Sequence, residues 1–206
     1  IATPYPFTSD LFKHAKMLGT LTDAQAAEIT TVVEAARRHP ALLAYYLVDE
    51  PEGTNVSLEW LQAAYKLINT LDPHHPILIT NYGLRGIQAY YSACDILMPD
   101  CYPVFLAKGG TRYPISNLRK WTETARALRP TWMVPQFFDW DGVSPVVDPA
   151  RPPTFDELRN NVWQSLAAGA RGIVGFHYTW DGRGYAMALR HGPDYLAREI
   201  AALQPA

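Results

Sequence analysis

The sequence predicts an α/β fold built on a parallel sheet, and two observations support that prediction. Apolar runs typical of strands alternate with segments of helical periodicity along the 206-residue chain, and strict alternation indicates βαβ units. The run 41–48 contains only apolar and aromatic residues, which is the pattern of a strand buried on both faces. Hydrophobic residues make up 48% and charged residues 18% of the chain, so it can bury a sizeable core.

Five segments have the length and apolar character of strands: 41–48, 77–80, 95–99, 132–138 and 172–178. A basic or histidine residue followed by proline precedes three of them, at His39-Pro40, His75-Pro76 and Arg129-Pro130. Proline ends the previous helix and imposes an extended backbone at the start of the strand. These three pairs therefore support the predicted strand positions.

Six segments have helical periodicity: 23–38, 58–71, 84–93, 115–128, 154–168 and 194–203. Thr22 or Asp23 is placed to cap the first of them. The residues from Thr154 to Glu157 have the capping-box pattern. The segment 58–71 carries an apolar stripe along one face, as a helix that packs on a sheet requires.

The composition argues against several partner classes. The formal net charge of -2, with no basic cluster, argues against nucleic acid, and no apolar run reaches the roughly 18 residues of a membrane helix.

No glycine-rich phosphate loop is present, so no cofactor is predicted. His74 and His75 are adjacent and point apart, so no metal site is predicted. Cys94 and Cys101 flank a predicted strand, which holds them about 20 Å apart, and we expect both to be free thiols in the core.

Polar and aromatic residues gather after the strands, whereas the strand starts carry almost none. The residues that follow the five strands are Asp49, Glu50, Asn81, Tyr82, Asp100, Tyr102, Phe138, Asp139, Trp140, Asp141, His177, Tyr178, Trp180 and Asp181. The carboxyl ends of parallel strands share one edge of a sheet, and this polarity is typical of a (β/α) barrel with its site on that face.

The number of strands predicts an incomplete barrel. A full barrel needs about 250 residues and eight strands, whereas this chain offers five. We therefore expect one domain over residues 1–206, with a reduced barrel-like parallel sheet. Five strands cannot close at the tilt of an eight-stranded barrel, so the outer strands leave open edges. We expect residues 1–16, or a second copy of the chain in a homo-oligomer, to cover an edge.

Four segments resemble the C-terminal part of a TIM-barrel glycoside hydrolase, over about residues 36–185. Residues 39–52, which end in Asp49-Glu50-Pro51-Glu52, resemble the fourth strand of the large retaining-glycosidase clan. There an Asn-Glu-Pro or similar tripeptide supplies the acid/base glutamate. The segments 95–103, 132–140 and 169–180 resemble the sixth, seventh and eighth strands. The resemblance implies a carbohydrate substrate, a barrel that lacks strands one to three, and Glu50 as the acid/base.

The second catalytic carboxylate does not follow from the resemblance. The clan places a nucleophilic glutamate at the end of the seventh strand, and the matching position here is Gln136. Hydrolysis needs a partner about 5 Å from the acid for retention, or about 6.5–9.5 Å for inversion. Three candidates stay open: Asp100, which we favour; Asp139 or Asp141; and Asp49, which would suit substrate-assisted chemistry as in hexosaminidase-like barrels. The predicted catalytic set is therefore Glu50 with Asp100 and Asp49.

A larger set is predicted to bind the sugar on the same concave face as Glu50. It consists of Asn81, Tyr82, Tyr102, Gln136, Trp140, His177 and Trp180. Aromatic rings can cover the apolar C–H faces of a sugar. The alternative for each aromatic ring is core packing, for His177 a buried structural role, and for Asp49 or Glu50 a loop cap or an ion pair with arginine.

Three functions remain open at the level of sequence. The first is a glycoside hydrolase that cleaves O-glycosidic bonds by carboxylate acid/base catalysis, with Glu50 as the proton donor. The second is a catalytically inactive carbohydrate-binding protein on the same partial barrel, which Gln136 favours. The third is a fragment whose missing strands come from another chain. The pattern of strand ends alone does not choose among them.

Overall fold

A computed structural model describes residues 17–54, 56–104, 114–138, 140, 152–176 and 187–203. The strands are β1 (Tyr45–Val48), β2 (Ile77–Asn81), β3 (Ile96–Cys101), β4 (Trp132–Pro135) and β5 (Gly172–Ile173). The helices are α1 (Asp23–Ala36), α2 (Pro51–Thr54), α3 (Leu58–Leu71), α4 (Leu84–Tyr90), α5 (Asn117–Arg126), α6 (Phe155–Ala167) and α7 (Met187–Ala202). A 3-10 turn, Tyr91–Ala93, extends α4.

The five strands form one parallel sheet in the order β1-β2-β3-β4-β5. This confirms the predicted α/β class and the five-stranded parallel sheet. Within the described residues β1 and β5 each pair with one neighbour, so the sheet is not closed. Strand β1 begins at Tyr45 and not at residue 41, because its ladder starts where Tyr45 N–H donates to the carbonyl of Pro76, just before β2.

The described chain divides into two compact units. The first contains Ile1–Pro99 and Thr124–Thr131, and the second contains Asp100–Glu123 and Trp132–Ala206. In the first unit, α1 and α3 bury an apolar face, with Ile29, Trp60 and Ile68 almost fully enclosed. In the second unit, the core of α6 and α7 consists of Leu158, Val162 and Leu196.

Side-chain caps explain where three helices begin. Thr22 and Gln25 form a capping box at the start of α1, and Thr154 and Glu157 form the predicted one at the start of α6. Ser57 accepts a hydrogen bond from the Trp60 N–H at 3.1 Å and so caps α3. Each cap satisfies backbone donors that the first turn of a helix leaves free.

Both cysteines are free and buried, as predicted. Burial raises the pKa of the Cys94 thiol, and likewise that of Cys101, to about 12. Thiols with such pKa values are inert as nucleophiles near neutral pH. None of the helices in the described part of the chain has the length and apolar character to cross a membrane.

Candidate active site at the strand ends

The carboxyl end of β1 holds an unusual backbone conformation at Glu50. The register between β1 and β2 shifts between Tyr46 and Val48, which marks a local irregularity just before the strand ends. Glu50 then adopts a φ of 44°, in the left-handed region, and no other non-glycine residue with positive φ is found in the described ranges. A non-glycine residue held in this region costs about 1–3 kcal/mol and persists only where its surroundings impose it.

Backbone hydrogen bonds impose this turn. The Glu50 N–H donates to the carbonyl of Thr80 in β2 at 3.1 Å. The Glu50 carbonyl accepts from the Gly53 N–H at 2.9 Å, which starts the one-turn helix α2. The Glu50 side chain is half-buried. The predicted proton donor therefore lies on a turn that β2 holds from one side.

Asp49 is exposed and lies beside a tyrosine hydroxyl. The Tyr46 hydroxyl is 2.5 Å from Asp49 Oδ1 and 2.7 Å from Thr80 Oγ1, within hydrogen-bond distance of both. This contact orients the Asp49 carboxylate without burying it. Asp49, which directly precedes Glu50, therefore stays accessible to solvent.

Glu52 is the carboxylate that sequence reasoning missed as a separate functional residue. Its Oε2 accepts a hydrogen bond from Asn81 Nδ2 at 2.9 Å, and its Oε1 accepts one from the Tyr82 N–H at 2.8 Å. Burial raises the pKa of Glu52 and outweighs these hydrogen bonds, which act in the opposite direction, while the nearby Glu50 carboxylate adds to the rise. Its position beside Glu50 and Pro51 was the only sequence signal.

Asn81 and Tyr82, both predicted to bind sugar, contact Glu52. Asn81 is 0% exposed, so the described structure encloses its side chain completely. Tyr82 is 39% exposed, and its ring lies against Gly53 of α2. The structure thus brings both residues to Glu52 of α2, and their roles in sugar binding stay predictions.

In the second unit, Asp100 lies in β3 and Gln136 directly follows β4. Asp100 is 3% exposed and pairs with Val134 in the ladder between β3 and β4. Gln136 is 0% exposed. Its Nε2 donates to the carbonyls of Val104 and Phe138 at 2.7 and 3.0 Å, and its Oε1 accepts from the Val104 N–H at 2.9 Å. The amide of Gln136 therefore fixes the chain that follows β3.

Four aromatic rings of the second unit form an aromatic cluster: Tyr102, Phe138, Trp140 and Phe176. Tyr102 stacks on Phe176 with the centroids 5.8 Å apart, and it meets Phe138 and Trp140 edge to face at 5.0 and 6.2 Å. Phe138 is buried at 1% exposure, whereas Phe176 is 43% exposed. Sequence reasoning predicted Tyr102 and Trp140 but missed Phe176, which precedes His177 and was counted only as part of a strand.

Several predicted residues lie outside the described residues: His177, Trp180, Asp139 and Asp141. Residues 1–16, predicted to cover a sheet edge, also lie outside them. No three His, Cys, Asp or Glu side chains come together as a metal site in the ranges that the structure describes.

The sequence matches no protein-family model and no curated protein. Among solved structures of similar fold, a protein described as an alpha-L-fucosidase from Bacteroides thetaiotaomicron is 12% identical, with a TM-score of 0.61 over 94% of this chain. A beta-D-glucuronidase from Dictyoglomus thermophilum is 11% identical, with a TM-score of 0.52 over 85% of the chain. A truncated 3-deoxy-D-arabino-heptulosonate 7-phosphate synthase from Thermotoga maritima is 10% identical, with a TM-score of 0.53 over 87%.

The chain spans only part of each of these structures: 65% of the fucosidase, 36% of the glucuronidase and 58% of the synthase. At such low identities the likeness concerns the fold alone. The similar structures include a fucosidase and two glucuronidases, whereas the synthase is named for a different reaction. The fold by itself therefore does not determine the chemistry of this chain.

Proposed function

We propose that this chain is a glycoside hydrolase that cleaves O-glycosidic bonds with Glu50 as the proton donor. The observation that carries the proposal is the left-handed Glu50 at the carboxyl end of β1, half-buried and held by β2. Strained residues of this kind cluster at active sites, and active sites of parallel α/β folds lie at the carboxyl ends of strands. The glycosidases among the structures of similar fold support the same reaction class.

The proposed reaction needs a second carboxylate, and the two described candidates differ in environment. Asp49 is exposed and oriented by the Tyr46 hydroxyl, which suits a residue that orients a substrate group. Asp100 is 3% exposed, which suits a carboxylate in a dry site. In either case Glu50 protonates the leaving oxygen as the glycosidic C–O bond breaks, and water then adds to the anomeric carbon. Asp100 would stabilise the positive charge that develops on the sugar ring, whereas Asp49 would orient a substrate group that does so.

The aromatic cluster is the proposed sugar platform of the second unit. Phe176 is exposed and Tyr102 half-buried, so their rings present apolar surface, while the buried Phe138 supports them from behind. Such rings can cover the apolar C–H faces of a pyranose. Trp140 extends the same cluster.

The experiment compares wild-type and Glu50→Gln turnover on two substrate types. The panel contains 4-nitrophenyl glycosides, including the α-L-fucoside and the β-D-glucuronide, and an unactivated disaccharide with the same sugar. Glu50→Gln should lower turnover of the disaccharide by about 10²–10⁴-fold, because proton transfer is lost. The nitrophenyl glycoside should lose less, because its leaving group needs little protonation.

Glu59→Gln is the matched control, since Glu59 is an exposed glutamate of α3 in the same unit. It should retain wild-type turnover on both substrates. Near-wild-type rates of Glu50→Gln on the disaccharide and on the nitrophenyl glycoside would remove Glu50 from the mechanism.

A carbohydrate-binding protein without catalysis is the second candidate. The observation that favours it is Gln136, whose amide is engaged with the backbone of Val104 and Phe138 at the position where the resembling clan has a nucleophile. Sugar binding by calorimetry without turnover, weakened by Phe176→Ala and unchanged by Glu50→Gln, would favour this candidate over the enzyme.

A further inference from the structure

We infer that Glu52 is a positioning residue, whose carboxyl group ties helix α2 to the end of β2 and so fixes the turn that carries Glu50. The inference deepens the proposed function and rests on it, since the turn matters for catalysis only if Glu50 donates the proton. It assigns Glu52 no contact with substrate. It explains why the left-handed conformation of Glu50 persists.

Three consecutive residues at the end of β2 hold the segment that contains Glu50. The carbonyl of Thr80 accepts the Glu50 N–H, while Asn81 Nδ2 and the Tyr82 N–H both donate to the Glu52 carboxyl group. The first contact lies on the strand side of Pro51 and the other two lie beyond it. A turn held on both sides of a proline has little freedom to relax toward ordinary φ values.

The space for the Glu52 carboxyl group is provided by a glycine. A Cβ atom built on Gly86 of α4 would overlap the Glu52 carboxyl group, with Oε2 at 2.7 Å. Gly86 is itself buried. The carboxyl group therefore fits only because position 86 has no side chain, which makes Gly86→Ala a way to displace it while Glu52 stays in the sequence.

Asn81 allows a conservative replacement of Glu52. Its Oδ1 atom is buried and has no hydrogen-bond partner among the described residues. If Gln replaces Glu52, a flip of the Asn81 amide lets Oδ1 accept from the glutamine Nε2, while the glutamine Oε1 still accepts from the Tyr82 N–H. Glu52→Gln should therefore keep the tie between α2 and β2, whereas Glu52→Ala should lose it.

The test measures turnover and amide exchange in these variants. For an active wild type, Glu52→Ala should lower kcat by up to about 10²-fold with KM unchanged, because a misplaced catalytic group costs about that much. Glu52→Gln should restore most of the kcat. The exchange of the Glu50 N–H with deuterium should accelerate in Glu52→Ala and not in Glu52→Gln. Glu59→Ala is the control and should change none of these quantities.

Each outcome decides the inference. Wild-type kcat in Glu52→Ala would overturn it. Equal loss in Glu52→Gln and Glu52→Ala would also overturn it, because the proton of Glu52 would then matter and not its hydrogen bonds. If Glu52→Ala does not fold, Gly86→Ala takes its place with the same expected loss. If the wild type turns over no glycoside, the proposed function fails by itself, and the exchange rate at Glu50 alone supports or overturns the tie.

Discussion

At the scale of single residues, Glu52 shows how burial and hydrogen bonding compete at one carboxyl group. Burial raises its pKa, while Asn81 and the Tyr82 N–H favour the charged form, and the pKa stays raised. A carboxyl group with a raised pKa binds its proton more tightly in the folded chain than in the unfolded one. Protons therefore stabilise the fold through this residue.

This linkage predicts a specific pH dependence of stability. Glu52 should contribute fully to the free energy of unfolding below the unfolded pKa of glutamate, about 4.3. This contribution should be lost as the pH rises through the raised pKa of the folded state. Chemical denaturation at several pH values gives the free energy of unfolding of wild type and of Glu52→Gln, and the difference between the two measures this contribution. A difference that stays constant from pH 4 to pH 8 would contradict the raised pKa.

Asp72 shows the opposite balance at the other end of the strands. Burial alone would raise its pKa, but hydrogen bonds from Tyr45, the His74 N–H and His75 lower it. The Tyr45 hydroxyl donates at 2.8 Å, the His74 N–H donates at 3.0 Å, and His75 Nδ1 lies 2.7 Å from Oδ2. Asp72 is 3% exposed, so its charge is balanced by these groups and not by water.

Asp72→Asn should destabilise the fold by about 1.5–3 kcal/mol at pH 7, the usual range for hydrogen bonds to a buried charge. Because the folded pKa is lowered, this contribution is present above the unfolded value of about 3.9 and is lost as the pH falls through the folded pKa. Urea unfolding at pH 7 and at pH 3 measures it, with the exposed Asp194→Asn as control. An equal loss of unfolding free energy in Asp72→Asn at pH 7 and at pH 3 would contradict the lowered pKa of Asp72.

At the scale of elements, the helix caps are local enough to be tested one at a time. Thr154→Ala removes the acceptor for the Glu157 N–H at the start of α6 and should cost about 1 kcal/mol. Thr31→Ala is the matched control, because Thr31 is an exposed residue inside α1 and its hydroxyl donates to the Ala27 carbonyl. It should cost nothing, since alanine favours helix interiors. Equal urea midpoints for wild type and Thr154→Ala would contradict the capping role.

At the scale of the whole molecule, we expect the unpaired edges of the outer strands to be covered by another segment or another chain. Unpaired strand edges promote association with other chains, and β1 and β5 each have one partner strand in the described part of the chain. We expect residues 1–16 or a second copy to fill this role. Light scattering at several concentrations distinguishes a 23.1 kDa monomer from a dimer. A monomer whose residues 1–16 exchange amide hydrogens freely would contradict both forms of the prediction.

Local signals in the sequence predicted the order and type of the five strands and of every helix except the one-turn helix α2. Apolar runs, proline positions and caps are local signals, because a strand or helix expresses its periodicity within one segment. The strand at 77–80 and the helix at 58–71 correspond to β2 and α3 to within one residue. The strand predicted at 172–178 is reduced to Gly172–Ile173 plus an isolated bridge at Phe176 within the described residues.

Which polar groups hold the fold together depends on contacts between segments that lie far apart in the sequence. Glu52 and its partners Asn81 and Tyr82 are 29 and 30 residues apart, and Gln136 and Val104 are 32 residues apart. No periodicity relates such pairs, because they meet through the register of neighbouring strands. The sequence showed that carboxylates follow β1, while the parallel pairing with β2 determined that Glu52 is tied to it and Glu50 lies on the constrained turn.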